Sequence, residues 1–202
     1  KERPEVVFHL AAHINVRNSM KDPTHDATVN ILGSINVLEH ARLFGAKKVI
    51  FSSTGGAIYG ETDHIPTPED EEPKPISHYG AAKYSVEHYL FLYQQIYGLE
   101  CPILRYANIY GPRQDPIGEA GVVAIFISNI LAGKDCRING DGKQTRDYVY
   151  VGDVVEANML ALKTSGSVTC NISTGTETDV HELYAMIASA MKETTGKSSK
   201  AF

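Results

Sequence analysis

Glu5-Val6-Val7-Phe8-His9-Leu10 is the stretch from which the rest of this chain can be read. It is short and mostly apolar, it carries branched side chains, and it shows no alternation with polar residues. Those are the marks of a strand buried on both faces of a parallel sheet. Two runs of the same kind follow, Lys48-Val49-Ile50-Phe51 and Pro102-Ile103-Leu104-Arg105-Tyr106. Helical stretches separate and follow them. Pro23 begins one that reaches Phe44, with Ile31, Ile35 and Leu38 on one face and Gly45 as its stop. Tyr79 to Tyr97 is another, closed by Gly98, and Gly121–Ala132, Asp153–Lys163 and Asp179–Met191 read the same way. Strands alternating with helices imply an α/β fold, a parallel sheet covered by helices on both faces. There is no internal repeat. After Tyr110 the rhythm loosens and Gly, Pro and charged residues rise, which suggests a second, smaller lobe. Thr194 to Phe202 reads as a polar tail with no further core element.

Composition narrows the classes. The 202 residues are 43% hydrophobic and 21% charged, the profile of a globular protein. A net charge of -5 argues against a nucleic-acid surface, which needs clustered Lys and Arg. The longest mostly apolar stretch, Gly121 to Leu131, is too short for a bilayer, which takes about 20 residues. Lys1 to Pro4 leads straight into the first strand, so no signal peptide is expected here. Cys101, Cys136 and Cys170 form no CxxC or Cys/His pattern, and the eight histidines are scattered without HExxH. We therefore expect reduced thiols, a cytoplasmic location and no metal site.

Chemistry concentrates at two places. Tyr79 and Lys83 are four apart, on one face of a helix. A tyrosine of reference pKa about 10 is a poor base at neutral pH, but a nearby ammonium favours its phenolate. Bringing that pKa to about 7 takes roughly 4 kcal/mol, within reach of a partly desolvated cleft. The spacing alone is a common accident in a chain with eleven tyrosines. Gly80, Ala81 and Ala82 between the pair add weight, because small residues let a flat ligand approach the helix. The second place is Ser52-Ser53-Thr54, which ends a strand and runs into Gly55-Gly56. Ligands of open α/β sheets bind beyond the carboxyl ends of the strands, where such hydroxyls can relay a proton. Turn chemistry is the plainer explanation of the same residues.

Phe8-His9-Leu10-Ala11-Ala12-His13, Ser52-Ser53-Thr54 leading to Tyr59-Gly60, Ser77-His78-Tyr79-Gly80-Ala81-Ala82-Lys83 and Leu104 to Arg113 resemble, in this order, the extended short-chain dehydrogenase/reductases. The runs Gln114–Val123 and Gly140–Val149 narrow the resemblance to their UDP-glucose 4-epimerase group, and it extends to about Ile187. It implies a Rossmann-like, doubly wound sheet that is partial here, with the first βαβ units missing and a smaller substrate-binding lobe. Residues 1–112 would be the later part of an NAD-binding domain. Residues 113–202 would be mainly the nucleotide-sugar lobe, with some segments returning to the sheet.

The resemblance also implies roles. Tyr79 matches the general base and Lys83 its partner, which also holds the nicotinamide ribose. Thr54 matches the active-site hydroxyl, with Ser53 an open alternative because the spacing to Tyr59 is one residue longer than in a shorter family variant. Leu10, Ala11 and Ala12, Ser52 and Ala107, together with Tyr79 and Lys83, would line NAD. Thr54, Asn108, Val122 and Arg146 would hold a UDP-sugar. A guanidinium at Arg146 suits a diphosphate, since it can bind phosphate oxygens bidentately. Without the motif, Arg146 would be read as a surface partner of Asp147. The implied reaction is epimerisation at C4 of UDP-glucose or UDP-galactose by a homodimer. The alternatives are a sugar-nucleotide 4,6-dehydratase or decarboxylase, and a non-catalytic or degenerate NAD-binding relative. Gly55 and Gly56 stand where the dehydratases place Asp-Glu, and glycine cannot transfer a proton. No GxxGxxG turn occurs in these residues, and the expected shortfall is roughly two βα units at the front and a sugar-gating segment at the back. These residues alone are therefore expected to hold NAD poorly and to be inactive.

Overall fold

The computed structural model describes residues 2–117 and 121–202, so Gly118, Glu119 and Ala120 of the family-like run lie outside the described residues. In chain order the elements begin with β1 (Val6–His9), α1 (Val16–Lys21), α2 (Pro23–Ala27), a π-helical turn (Thr28–Leu32) and α3 (Gly33–Leu43). They continue with β2 (Lys48–Thr54), α4 (Gly55–Ile58), α5 (His78–Tyr97), β3 (Ile103–Tyr106), β4 (Asn108–Tyr110) and α6 (Val122–Leu131). Then come β5 (Thr145–Arg146), β6 (Tyr148–Tyr150), α7 (Val151–Lys163), β7 (Thr169–Ile172), β8 (Thr178–Asp179) and α8 (Val180–Thr195). Two compact units divide the chain. One runs up to Ala107 and takes in Asp153–Ile172; the other comprises Asn108–Gly152 and Ser173–Phe202.

The first unit is built on a parallel sheet of order β1-β2-β3-β7, the α/β architecture expected. The central strand β2 is buried along its length, with only Thr54, its last residue, partly open. That is why it reads as an apolar run without alternation. Leu38 and Ala41 of α3 and Val86, Leu90 and Tyr93 of α5 pack with Val49 and Phe51 in one core cluster. Burying Leu38, Val86 and Leu90 completely contributes about 1.5–3 kcal/mol each. Ser77 caps α5 by accepting the Gly80 N–H at 3.1 Å, and Gly98 ends the helix in the left-handed conformation at φ 68°. The stretch from Pro23 to Leu43 is helical as expected, but the π turn widens it in the middle, where Ser34 Oγ donates to the Asn30 carbonyl at 2.6 Å.

Strand β7 was not anticipated. Val168-Thr169-Cys170-Asn171-Ile172 mixes polar and apolar residues, and only its pairing with β3 makes it a strand. In the second unit, β4 pairs with β6 in parallel and β5 with β8 antiparallel. Phe126 and Ile130 of α6 pack against Val180 of α8 and Cys136. The expected polar tail is shorter and better anchored than its composition suggested. Helix α8 continues to Thr195, and Cys136 and Ile138 pair through their backbone amides with Lys200 and Phe202 at 2.8 and 2.9 Å. Among the described residues no helix is long and apolar enough to cross a membrane, and no cluster of His, Cys, Asp and Glu could hold a metal.

Lys48 shows how the first unit closes. It begins β2 yet is 6% exposed. Its ammonium donates to the carbonyls of Ala161, Leu162 and Thr164 at 3.1, 3.0 and 2.6 Å and pairs with Glu100 at 3.1 Å. It thus satisfies the carbonyls that end α7 and sits at the negative end of that helix dipole. Lys48→Met should destabilise the protein by about 2–4 kcal/mol, since hydrogen bonds to a charged group are lost and carbonyls are left unmet. Denaturant unfolding should show a lower midpoint at unchanged slope; an unchanged midpoint would refute the role.

Candidate active site

The candidate catalytic residues gather at the carboxyl end of the first unit's sheet. Lys83 lies one turn beyond Tyr79 on α5 and is buried at 4% exposure. Its ammonium donates to the Ser52 carbonyl at 2.8 Å and lies 4.7 Å from the centre of the Phe51 ring. Burial lowers its pKa to about 8, while the carboxylates of Asp26 and Glu87 push back towards the charged form. Tyr79 is half-buried, and its backbone N–H donates to Ser19 Oγ at 3.2 Å. Close packing holds this turn of helix. Gly80 is buried, and a Cβ there would run into the Ala57 carbonyl and come within 3.1 Å of Pro75 Cβ.

The three hydroxyls of β2 separate by strand alternation. Ser52 Oγ donates to Tyr106 OH at 3.3 Å. Ser53 is 4% exposed and donates to Glu87 Oε1 at 2.5 Å, so its hydroxyl is engaged beneath the helix. Thr54 ends the strand half-buried, in register with Tyr106, and its side chain does not cap α4. Leu10 and Ala11 stand exposed just after β1, Leu10 at 62%, and Ala12 is half-buried. Ala107 follows β3, its N–H bound to the Ile172 carbonyl at 3.0 Å.

A second group of polar side chains fastens the segment after β1. His9 donates through Nε2 to Ser34 Oγ at 2.8 Å, because that hydroxyl's own proton goes to the Asn30 carbonyl. Burial, reinforced by the charge of Lys83, lowers the His9 pKa to about 4 and keeps the ring neutral. Asn30 accepts the His13 N–H at 2.8 Å and returns a bond to the His13 carbonyl at 2.9 Å. Asp26, 1% exposed, meets His13 Nδ1 at 3.0 Å.

The remaining candidates belong to the second unit. Asn108 opens β4, with its N–H on the Asp147 carbonyl at 2.9 Å. Val122 is the first residue of α6. Arg146 is exposed and donates to the Thr145 carbonyl at 2.7 Å. The plainer alternative, a surface pairing with Asp147, is not made. That carboxylate accepts the amides of Thr174 and Gly175 at 2.9 and 2.7 Å instead.

The family model for the NAD dependent epimerase/dehydratase family matches residues 1–173. The chain belongs to that family. A UDP-glucose 4-epimerase of Mycolicibacterium smegmatis is 50% identical over 190 residues, which is 94% of this chain and 61% of that protein. The solved structure of a UDP-glucose 4-epimerase of Thermotoga maritima with UDP-glucose superposes with a TM-score of 0.92 at 52% identity, covering 100% of this chain and 65% of the other. The Thermus thermophilus UDP-glucose 4-epimerase complex with NAD gives a TM-score of 0.89 at 45% identity, covering 99% and 65%. The chain thus spans a little under two thirds of the length of these relatives. The likeness agrees with the partial Rossmann-like sheet expected from the motifs.

Motif reading in this epimerase/dehydratase chain missed Ser19, Asp26, Asn30, Glu87 and Arg105. Glu87 was within reach of it, since Tyr79, Lys83 and Glu87 are spaced four apart along one helical stripe. The others come from different elements, and nothing in their local spacing marks them. Gly80→Ala should destabilise the protein by about 1–3 kcal/mol, the usual scale of overpacking, because the added methyl would meet the Ala57 carbonyl. Thermal unfolding checks this; an alanine variant of normal stability would show that α4, which carries Ala57, yields.

Proposed function

We propose that the enzyme carrying this chain at the length of its relatives is an NAD-dependent UDP-glucose 4-epimerase. The observation that carries this reading is the buried Lys83 ammonium beside β2, one turn from Tyr79, with Gly55-Gly56 where proton-transferring acids would make a dehydratase. Tyr79 takes the proton of the sugar 4-hydroxyl and returns it. Lys83 holds the phenolate by its charge. Thr54, at the partly open end of β2, orients the sugar hydroxyl; Ser53 is the weaker candidate because its own hydroxyl already donates to Glu87.

NAD fits the chemistry of this edge: Leu10 and Ala11 offer an exposed apolar shelf, and Ala12, Ser52, Tyr79, Lys83 and Ala107 complete the residues that would hold it. When bound, it supplies the hydride chemistry that makes and then reduces a 4-keto sugar. Asn108, Val122 and Arg146 hold the UDP moiety, with the exposed Arg146 guanidinium meeting the diphosphate.

The reading includes a cytoplasmic homodimer. Helix α5 exposes Tyr89, Phe91, Leu92 and Ile96, at 37, 58, 46 and 63%, and the neighbouring helical stretch exposes Leu32, Leu43 and Phe44. This is more apolar surface than a helix buried all round would leave, and a twofold axis would cover it. Tyr93, on the same helix, is instead internal and donates to Glu39 Oε1.

Incubated with UDP-galactose and no added NAD, the enzyme should yield UDP-glucose; a 4-keto-6-deoxy sugar as product would replace this reading with the dehydratase. Tyr79→Phe should lower kcat at least about a hundredfold with UDP affinity nearly intact, whereas Arg146→Ala should act mainly on affinity. Near-normal turnover of Tyr79→Phe would remove Tyr79 from the base role. Light scattering at micromolar concentration should give twice the mass of one chain, and a monomer there would refute the dimer.

A further inference from the structure

The most elaborate polar construction in the first unit is not among the residues assigned above. Arg105 of β3 and Glu87 of α5 form an ion pair at 2.6 Å, with side chains 7 and 6% exposed. The guanidinium engages both carboxylate oxygens, Nη2 on Oε2 at 2.6 Å and Nε on Oε1 at 3.2 Å. Glu87 Oε1 also accepts the Ser53 hydroxyl at 2.5 Å. On its other side Arg105 donates through Nη1 to Tyr59 OH at 2.8 Å and to the Glu69 carbonyl at 3.1 Å. Tyr59 OH in turn donates to Asn171 Oδ1 at 2.8 Å. Asn171 holds the same loop from β7, donating through Nδ2 to the Thr67 carbonyl and through its backbone N–H to Glu69 Oε1, both at 2.8 Å.

A buried ion pair is a poor source of stability, because desolvating two charges offsets most of their attraction and an apolar pair of similar volume does as well. Its distinguishing property is geometry. A fork meeting a carboxylate through two parallel bonds permits one relative placement, whereas packed apolar side chains tolerate sliding. Here the two ends of the fork sit at informative places. Glu87 lies two turns beyond Tyr79 and one beyond Lys83 on the same stripe of α5. Arg105 is in register with Ser53, the residue before Thr54. Through Tyr59 and Glu69 the pair also fastens the segment that joins Thr54 to Tyr79 in the chain.

We propose that Glu87 and Arg105 are positioning residues for the epimerase reaction, locking the register of the helix that carries Tyr79 and Lys83 against the strand end that carries Thr54. This rests on the function proposed above. The pair touches no substrate; it acts by holding proton-transfer groups that lose rate steeply when misplaced.

The decisive variant is the apolar exchange Glu87→Leu with Arg105→Met, in the enzyme at the length of its relatives. It removes the fork and both of its charges together, but the Ser53 and Tyr59 hydroxyls and the Glu69 carbonyl lose a partner and Lys83 keeps only Asp26 as a nearby carboxylate. It should therefore fold with a melting temperature a little below that of the unmodified enzyme. Its kcat should fall about 10- to 100-fold, with KM for UDP-galactose within about twofold. The acid limb of kcat/KM should move to higher pH, because a displaced Lys83 ammonium holds the Tyr79 phenolate less well. Arg105→Lys, which keeps the charge but not the fork, should lose most of the same rate. Glu87→Asp, which keeps the carboxylate, should recover part of it.

Normal kcat and an unmoved pH profile in the folded apolar variant would overturn the proposal, as would Arg105→Lys with full activity. The underlying reading fails separately, in the unmodified enzyme. If that enzyme gives a different sugar product, the same ratio of variant to unmodified kcat is read on that product. If it turns over no UDP-sugar, the reading and the inference fall together.

Discussion

Everything at the sheet's carboxyl edge depends on keeping one ammonium group out of water. Lys83 reaches from α5 to the carbonyl of Ser52, and the ring of Phe51 lies beneath it. A buried cation of this kind is tolerated only with partners in place, so each neighbour of Lys83 is constrained in turn. Phe51 must sit in the β2 core, Ser52 must present its carbonyl at a fixed point of the strand, and carboxylates must lie near enough to favour the charge. Asp26 and Glu87 meet the last condition from two different helices.

Other features of the same end of the sheet rest on contacts of their own. Asn30 in the π turn and Ser34 just after it, in α3, bond the segment from His9 to His13. His9 stays neutral because its ring is buried and Lys83 is charged. Gly80 has no side chain because Ala57 and Pro75 occupy the space beside it, which lets the first turn of α5 sit close to α4. The polar groups of the first unit are therefore concentrated at one end of the sheet. Its opposite end is closed by Lys48, whose work is with helix carbonyls rather than with chemistry.

The second unit follows a different logic. Its strands are two or three residues long, and its core is the contact of α6 with α8 around Cys136. Such short pairings carry little hydrophobic signal, and turns held by single carboxylates, such as Asp147 on the amides of Thr174 and Gly175, do much of the shaping. The candidate nucleotide-binding residues Asn108, Val122 and Arg146 lie at the starts of strand and helix or within these short pairings.

The amino-acid order by itself determined the parallel α/β sheet, three of its four strands and the helices from Pro23, Tyr79, Gly121, Asp153 and Asp179. β2 and β3 are buried along almost their whole length and β1 in part, with Phe8 left exposed, so their runs show no regular polar alternation although Lys48, Ser52, Ser53 and Arg105 lie in them. Helical periodicity shows in any stretch with one core face. It also determined the pairing of Tyr79 with Lys83, since residues four apart on a helix must share a face. Tertiary structure alone decided which β2 hydroxyl is engaged beneath α5, because it places Glu87 against the face that carries Ser53 and not against the one that carries Thr54. It alone made β7 a strand, since a half-polar segment such as Val168–Ile172 becomes extended through its neighbour. It also brought Asp26, Glu87 and Arg105 to the site from separate elements. Long-range electrostatic and hydrogen-bonded contacts leave no periodicity in the chain, because their partners are fixed by how helices and strands pack and not by how far apart they lie in the sequence.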